Sequence, residues 1–237
     1  MGVTVLFPYP LHENKTNTQT LDYLTKRLLS LGAVLSGQFL VDCETYISSP
    51  PFPSKAVHVL HDSEYPASSF SILDNGAGKQ IPMVADNLFD LLMLKMAPVY
   101  TAKKQSKIES KGARFEYGDF LIKLGSVSNL DKFKGLLIEI EYRPCVVLAY
   151  CWEMIRELLQ GFLGQPVPKE YPTYFTQPVV NAMGQQQMHA KQNDTYEPLD
   201  TINQYLEHFL NYRKQNLLQA QAAATAMTSQ MNPSMIG

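Results

Sequence analysis

The chain has 237 residues, a formal net charge of −2, 45% hydrophobic residues and 11% aromatic residues. It is long enough to bury a real core, and its near-neutral balance gives neither the basic footprint of a nucleic-acid binder nor the charge excess of a disordered chain. Three widely spread cysteines exclude a disulfide framework and a cysteine-based zinc site and point to a reducing compartment, while no run of about 18 apolar residues exists to cross a membrane.

The first apolar run, Val3 to Phe7, reads as a strand stopped by Pro8 and Pro10; no basic region precedes it, so no secretory leader is expected. Thr16 to Thr20 supply N-caps for a helix whose apolar face is Leu21, Leu24, Leu28 and Leu31, with Gly32 as its stop. From 33 to 85 the pattern is β-rich. Phe39 and Val41, Val57 and Val59, and Phe70 and Ile72 alternate with polar residues, and Asp74-Asn75-Gly76 is a hairpin-turn signal. Residues 49–54 hold three prolines and form a loop. Asp86 is placed to cap a second helix bearing Leu88, Leu91, Leu92 and Lys95, which ends before Pro98.

Residues 106–142 carry the clearest period-two alternation. Phe120, Ile122 and Leu124 oppose Asp119, Leu121 and Lys123; Leu136, Ile138, Ile140 and Tyr142 oppose Leu137, Glu139 and Glu141. One face is therefore buried and the other is expected to be at least partly wet. The hydrophobic phase flips near Gly118, which fits either a glycine bulge or a tight turn. At Pro144 the period changes, and Val147, Cys151, Ile155, Leu158 and Phe162 mark one stripe of a helix. Five prolines between Pro166 and Pro198, with Gln185 to Gln187, suggest a flexible insert over 165–195. A last helix over 200–217 carries Ile202, Tyr205, Leu206, Phe209 and Arg213, and 218–237 reads as a disordered tail. The organisation is thus one domain over 1–217, α+β and β-rich.

Chemistry is sparse. Glu139 and Glu141 share a strand face and could jointly bind a divalent cation, with Lys123 and Asp119 as neighbours; the plainer reading is the solvent face of an amphipathic strand. His58 and His61 fall on opposite faces of a strand, which argues against shared ligation. Cys43 stands between Asp42 and Glu44, whose charges raise a thiol pKa, and Cys145 and Cys151 fit a helix interior. Lys103, Lys104, Lys107, Lys111 and Arg114 form a basic run diluted by Glu109 and Glu116. No nucleophile elbow, phosphate loop or zinc-protease motif is present. Residue chemistry alone yields a β-rich interaction domain.

Several phrases stand out as an ordered set. They are Val41-Asp42-Cys43-Glu44-Thr45-Tyr46, His61-Asp62-Ser63-Glu64-Tyr65-Pro66, Asn87 to Lys95, Asp119 to Gly125, Glu139 to Val147, Cys151-Trp152 and Phe162-Leu163-Gly164. Together they closely resemble subunit 20 of the Mediator complex in its animal form, from Met1 to about Lys214. The resemblance implies an incomplete antiparallel β-barrel with flanking helices. It further implies a non-enzymatic nuclear subunit, without cofactor or bound metal, that pairs with Mediator subunit 18 in the head module and helps relay regulatory signals to RNA polymerase II. No membrane or direct nucleic-acid contact is expected. The barrel shape is akin to tunnel triphosphatases, which leaves a metal-dependent phosphohydrolase using Glu139 and Glu141 as the alternative. Tyr205, Phe209 and Tyr212 on the last helix are the candidate partner contacts, docking on the chain's own sheet being their other possible role.

Overall fold

The computed structural model describes residues 2–10, 16–76, 80–103, 107–176, 178–180 and 186–230, with backbone alone for 178–180, 186–190 and 215–230. The elements in chain order are β1 (Val3–Tyr9), α1 (Asn17–Ser30), β2 (Val34–Ser48), β3 (Ala56–Asp62), β4 (Ser68–Asp74) and β5 (Gln80–Asp86). There follow α2 (Phe89–Lys95), β6 (Tyr100–Ala102), β7 (Ile108–Tyr117), β8 (Phe120–Asn129), β9 (Lys132–Tyr142) and α3 (Leu148–Leu163). The chain closes with α4 (Thr173–Thr176), β10 (Pro178–Val180), β11 (Gln186–Ala190) and α5 (Pro198–Gln230).

One antiparallel sheet runs in the order β1-β9-β8-β7-β2-β3-β4-β5, with β6 added to the end of β2. β1 and β5 are its edges, so the sheet stays open and the chain has the expected α+β, strand-rich form of an unclosed barrel. Gly118 settles as a turn: Tyr117 pairs with Phe120, and Gly118 takes a positive φ of 55° between them. The two-residue turn reverses the parity of the strand, which explains the phase flip. Asp74 instead pairs with Gln80, so the Asn-Gly hairpin has a five-residue loop, opened by Gly76 N–H donating to Asp74 Oδ1.

The alternation predicted for β8 and β9 is present, but the second face is largely covered, with Glu139 buried and Glu141 partly buried at a cleft. Val3, Val5, Ile122, Leu124, Ile138 and Ile140 face α1 and α3, and meet Leu24, Leu28, Trp152, Ile155 and Phe162. The opposite face, with Leu6, Phe39, Val41, Leu60 and Leu137, is covered by Ile202, Tyr205, Leu206 and Phe209 of α5. A helix from the far end of the sequence thus buries the side on which solvent was expected. α1 begins as the sequence suggests: Thr16 accepts from the Gln19 amide, and the Gln19 side chain accepts from the Thr16 amide.

α2 departs from expectation. Asp86 accepts from Leu88 N–H just ahead of the helix rather than capping its first turn. Phe89 and Met93 are its buried residues, packed on Val57 and Val59, whereas Leu88, Leu91 and Leu92, the leucines expected on this helix, are exposed. Between 165 and 195, Val167 and Phe175 join the α3 core and Trp152 Nε1 donates to Lys169 O; residues 181–185 lie outside the described residues. The α5 backbone stays helical to Gln230, past the end at 217, in a run rich in the strong helix former alanine; 231–237 lie outside the described residues.

Candidate functional site

The antiparallel register places Lys123 of β8 directly beside Glu139 of β9, on the face that α5 covers. Lys123 Nζ lies 3.0 Å from Glu139 Oε1, and the two side chains are 3% and 4% exposed. The Tyr205 hydroxyl donates to the other Glu139 oxygen at 2.5 Å. Lys123 Nζ also stands 5.4 Å from the Phe39 ring centroid. At the outer end Arg114 holds both oxygens of Glu64 at 3.0 and 3.1 Å, and Glu64 approaches Lys123 to 3.9 Å. Asp62 completes the group and accepts from the Glu64 amide.

The electrostatics follow from burial. Burial alone would press the Lys123 ammonium down, but the charges of Glu139 and Asp62 outweigh it and hold its pKa above 10.5. Burial pushes the Asp62 carboxyl up to about 6; Lys123 opposes the shift and Glu139 adds to it. Burial and the Glu139 charge keep the Tyr205 phenol well above its usual range, so it remains a donor. The network opens on a cleft of about 220 Å³, also lined by Thr4, Tyr65, Glu141 and Thr201. Both Glu139 oxygens are engaged, and Glu141 Oε1 accepts from Gly2 N–H. Among the described residues no group of three or more histidines, cysteines or acids is arranged to hold a metal ion. The arrangement holds α5 to the sheet.

Of the two roles open to Tyr205, Phe209 and Tyr212, the structure displays the internal one. Tyr205 and Phe209 are 1% and 0% exposed in the core under α5. Tyr212 donates to Leu136 O at 3.2 Å, and its ring occupies the space above Gly135, where a Cβ would come within 2.6 Å of it. A neighbour that the sequence did not single out does as much. Gln204 donates to Thr4 O at 3.0 Å and accepts from Leu6 N–H at 3.1 Å, so its amide pairs with edge strand β1 as another strand would. The only sequence signal was a polar residue beside an apolar stripe.

The remaining candidates separate. His58 is buried, bonded to Thr45 and lowered to about 4 by burial, so it is neutral. His61 lies on the other face, 2.9 Å from Asp42 and 3.1 Å from Asp90 of α2; the Asp42 hydrogen bond, against the opposing effect of burial, raises its pKa. Burial, more than its acidic neighbours, takes Cys43 to about 11, and burial takes Cys151 to about 12. The basic run is not a free strip: Lys107 faces Asp42, Lys111 pairs with Glu109, and Arg114 with Glu64; Lys104 lies outside the described residues.

A family model described as "TATA-binding related factor (TRF) of subunit 20 of Mediator complex" matches residues 1–210. "Mediator of RNA polymerase II transcription subunit 20" of Drosophila melanogaster is 62% identical over 99% of this chain and 95% of its own length. The Homo sapiens protein of that name is 39% identical over 91% of this chain and 96% of its own length. Among solved structures, a chain of the Schizosaccharomyces pombe Mediator head module aligns at a TM-score of 0.36 and 11% identity, over 67% of this chain and 94% of that one. A putative adenylate cyclase from Bacillus halodurans aligns at 0.43 and 12%, over 72% and 94%. Both are too distant to bear on function.

Proposed function

The chain belongs to the Mediator subunit 20 family, and on that premise we propose that it acts without catalysis, as a nuclear scaffold that pairs with subunit 18 in the head module and passes regulatory signals toward RNA polymerase II. The observation that carries this is identity sustained over almost the whole chain: a Mediator subunit 20 relative is 62% identical over 99% of it. The site geometry supports the same reading. Glu139, on which a metal-dependent hydrolase would rest, is ion-paired with Lys123 and accepts from the Tyr205 hydroxyl inside the fold. The phosphohydrolase alternative has no observation in its favour.

Sedimentation of the purified chain, alone and with subunit 18, tests the pairing. A 1:1 complex at micromolar concentration is expected, with roughly 2,000 Å² or more buried if the pair is permanent. A soluble monomer that ignores subunit 18 at that concentration refutes it. Triphosphate hydrolysis with manganese or magnesium, lost in Glu139→Gln and Glu141→Gln, would refute the absence of catalysis.

A further inference from the structure

We propose that the outer side of α2 and the adjoining face of β5 form the surface on which the heterodimer partner docks, and that the partner meets it with an apolar patch bordered by lysine or arginine. This rests on the scaffold reading above and assigns it a place on the molecule. α2 is apolar on nearly every side. Phe89 and Met93 are buried against β3, yet Leu88, Leu91, Leu92 and Leu94 are 63%, 49%, 47% and 68% exposed. A helix apolar all round is normally buried on all sides, and here only one side is covered.

The neighbouring strand extends the patch. In β5, Ile81 pairs with Leu73 and Met83 with Ser71, which puts both side chains on the face of the α2 cluster; each is 46% exposed. With these two, six large apolar side chains stand exposed on the side of the sheet that carries α2, more than the single scattered leucines of an ordinary surface. Other exposed large apolar groups, such as Val34 with Leu35 or Tyr150 with Met154, lie on other elements.

The mode of docking is face-on. β5 is an open edge, but Pro82 stands at its centre and supplies no N–H, which blunts the edge against strand addition. The patch is also preformed: Phe89 and Met93 fix one side of α2, the Asp86–Leu88 bond fixes its start, and Asp90 reaches His61 on β3. A rigid apolar face loses little freedom on binding. Two features select the occupant. The chain is one subunit of a many-chain complex, so an apolar face left open on the single chain meets a different subunit. Exposed Asp86 and half-exposed Asp90 border the start of α2, which calls for a cation on the incoming rim.

The test uses the full chain and subunit 18 as the probe. Leu91→Asp combined with Leu94→Asp changes only solvent-facing side chains, and Val34→Asp with Leu35→Asp is the control on β2. Affinity by calorimetry should fall roughly a hundredfold or more in the α2 variant and stay within roughly threefold in the control, as for two central contacts of an interface against none. Hydrogen exchange on the unmodified complex gives an independent reading, with amides 89–96 slowed on binding. Unchanged affinity and unslowed amides overturn the surface while leaving the pairing intact. An unmodified chain that does not bind subunit 18 overturns the pairing itself, and this assignment with it. An α2 variant that only dissolves a self-dimer of this chain overturns the choice of occupant.

Discussion

Replacing Asp62 with asparagine removes one buried negative charge and little else. The side chains have the same shape, and an asparagine carbonyl can go on accepting from the Glu64 amide, now 2.9 Å from Asp62 Oδ1. In the folded chain burial raises the Asp62 carboxyl from 3.8 to about 6, Lys123 only partly offsetting it. A group whose folded pKa is raised contributes fully below its unfolded value and loses that contribution as pH rises through the folded one. The window is therefore from about 3.8 to about 6, and above it the folded state carries a penalty of about 3 kcal/mol. Asp62→Asn should thus stabilise the chain by up to about 3 kcal/mol at pH 7 and hardly at all at pH 4. At roughly 2–4 °C per kcal/mol for a chain of this size, Tm should rise by roughly 6–12 °C at neutral pH. Lys123 keeps its nearest counter-charge in Glu139 at 3.0 Å, so the variant does not strand it. Thermal melts of both proteins at pH 4, 5, 6 and 7 decide the matter. Equal melting at pH 7, or a difference that does not change with pH, would refute the reasoning.

Lys123→Met leaves the Glu139 carboxylate buried with Tyr205 as its remaining partner, and should cost about 3–5 kcal/mol in urea denaturation at pH 7. Adding Glu139→Leu should recover most of that loss, because the stranded charge goes with it. A single-variant loss under about 1 kcal/mol would show that the pair is not buried as described. Gln204→Ala strips the Leu6 N–H and Thr4 carbonyl of their side-chain partner, at about 1–3 kcal/mol for each group left unsatisfied. The Leu6 amide should exchange faster with solvent in that variant, and unchanged protection would count against the clamp.

The strands were legible because alternation is a local property. The β7–β9 block, the α1 cap at Thr16 and the special place of Gly118 all show in a window of ten residues. What stayed hidden depended on distance in sequence. Glu139 and Lys123 look like a wet face until Tyr205, 66 residues later, arrives on top of them. Their pairing across β8 and β9 was open to inspection as i, i+2 patterns, but no local signal says that a helix will seal it. The buried side of α2 was not legible for another reason. With leucine, methionine and phenylalanine on every side it has no stripe, so spacing cannot say which face turns inward, and the bulky Phe89 with Met93 one turn on takes the core.

That ambiguity is itself informative when α2 is set beside α5. Polar contacts fix α5 to the sheet between Gln204 and Arg213: Gln204 on the β1 backbone, Tyr205 on Glu139, Tyr212 on Leu136 O, and Arg213 on Thr45 Oγ1 and Cys43 O. Hydrogen bonds are directional, so a helix held this way has one register on the sheet, and Ile202, Tyr205, Leu206 and Phe209 are buried within the chain. α2 rests on two side chains in a small cluster of its own and keeps its leucines outward. Dispersion and hydrophobic contact are not directional, and they suit a surface that must accept another molecule's shape. A chain with nothing to bind there could carry charged residues in place of Leu91 and Leu94, since these hold a helix about equally well at exposed positions and are more soluble. That four leucines stand there instead is the strongest physical reason to place assembly on this side of the molecule and integrity on the other.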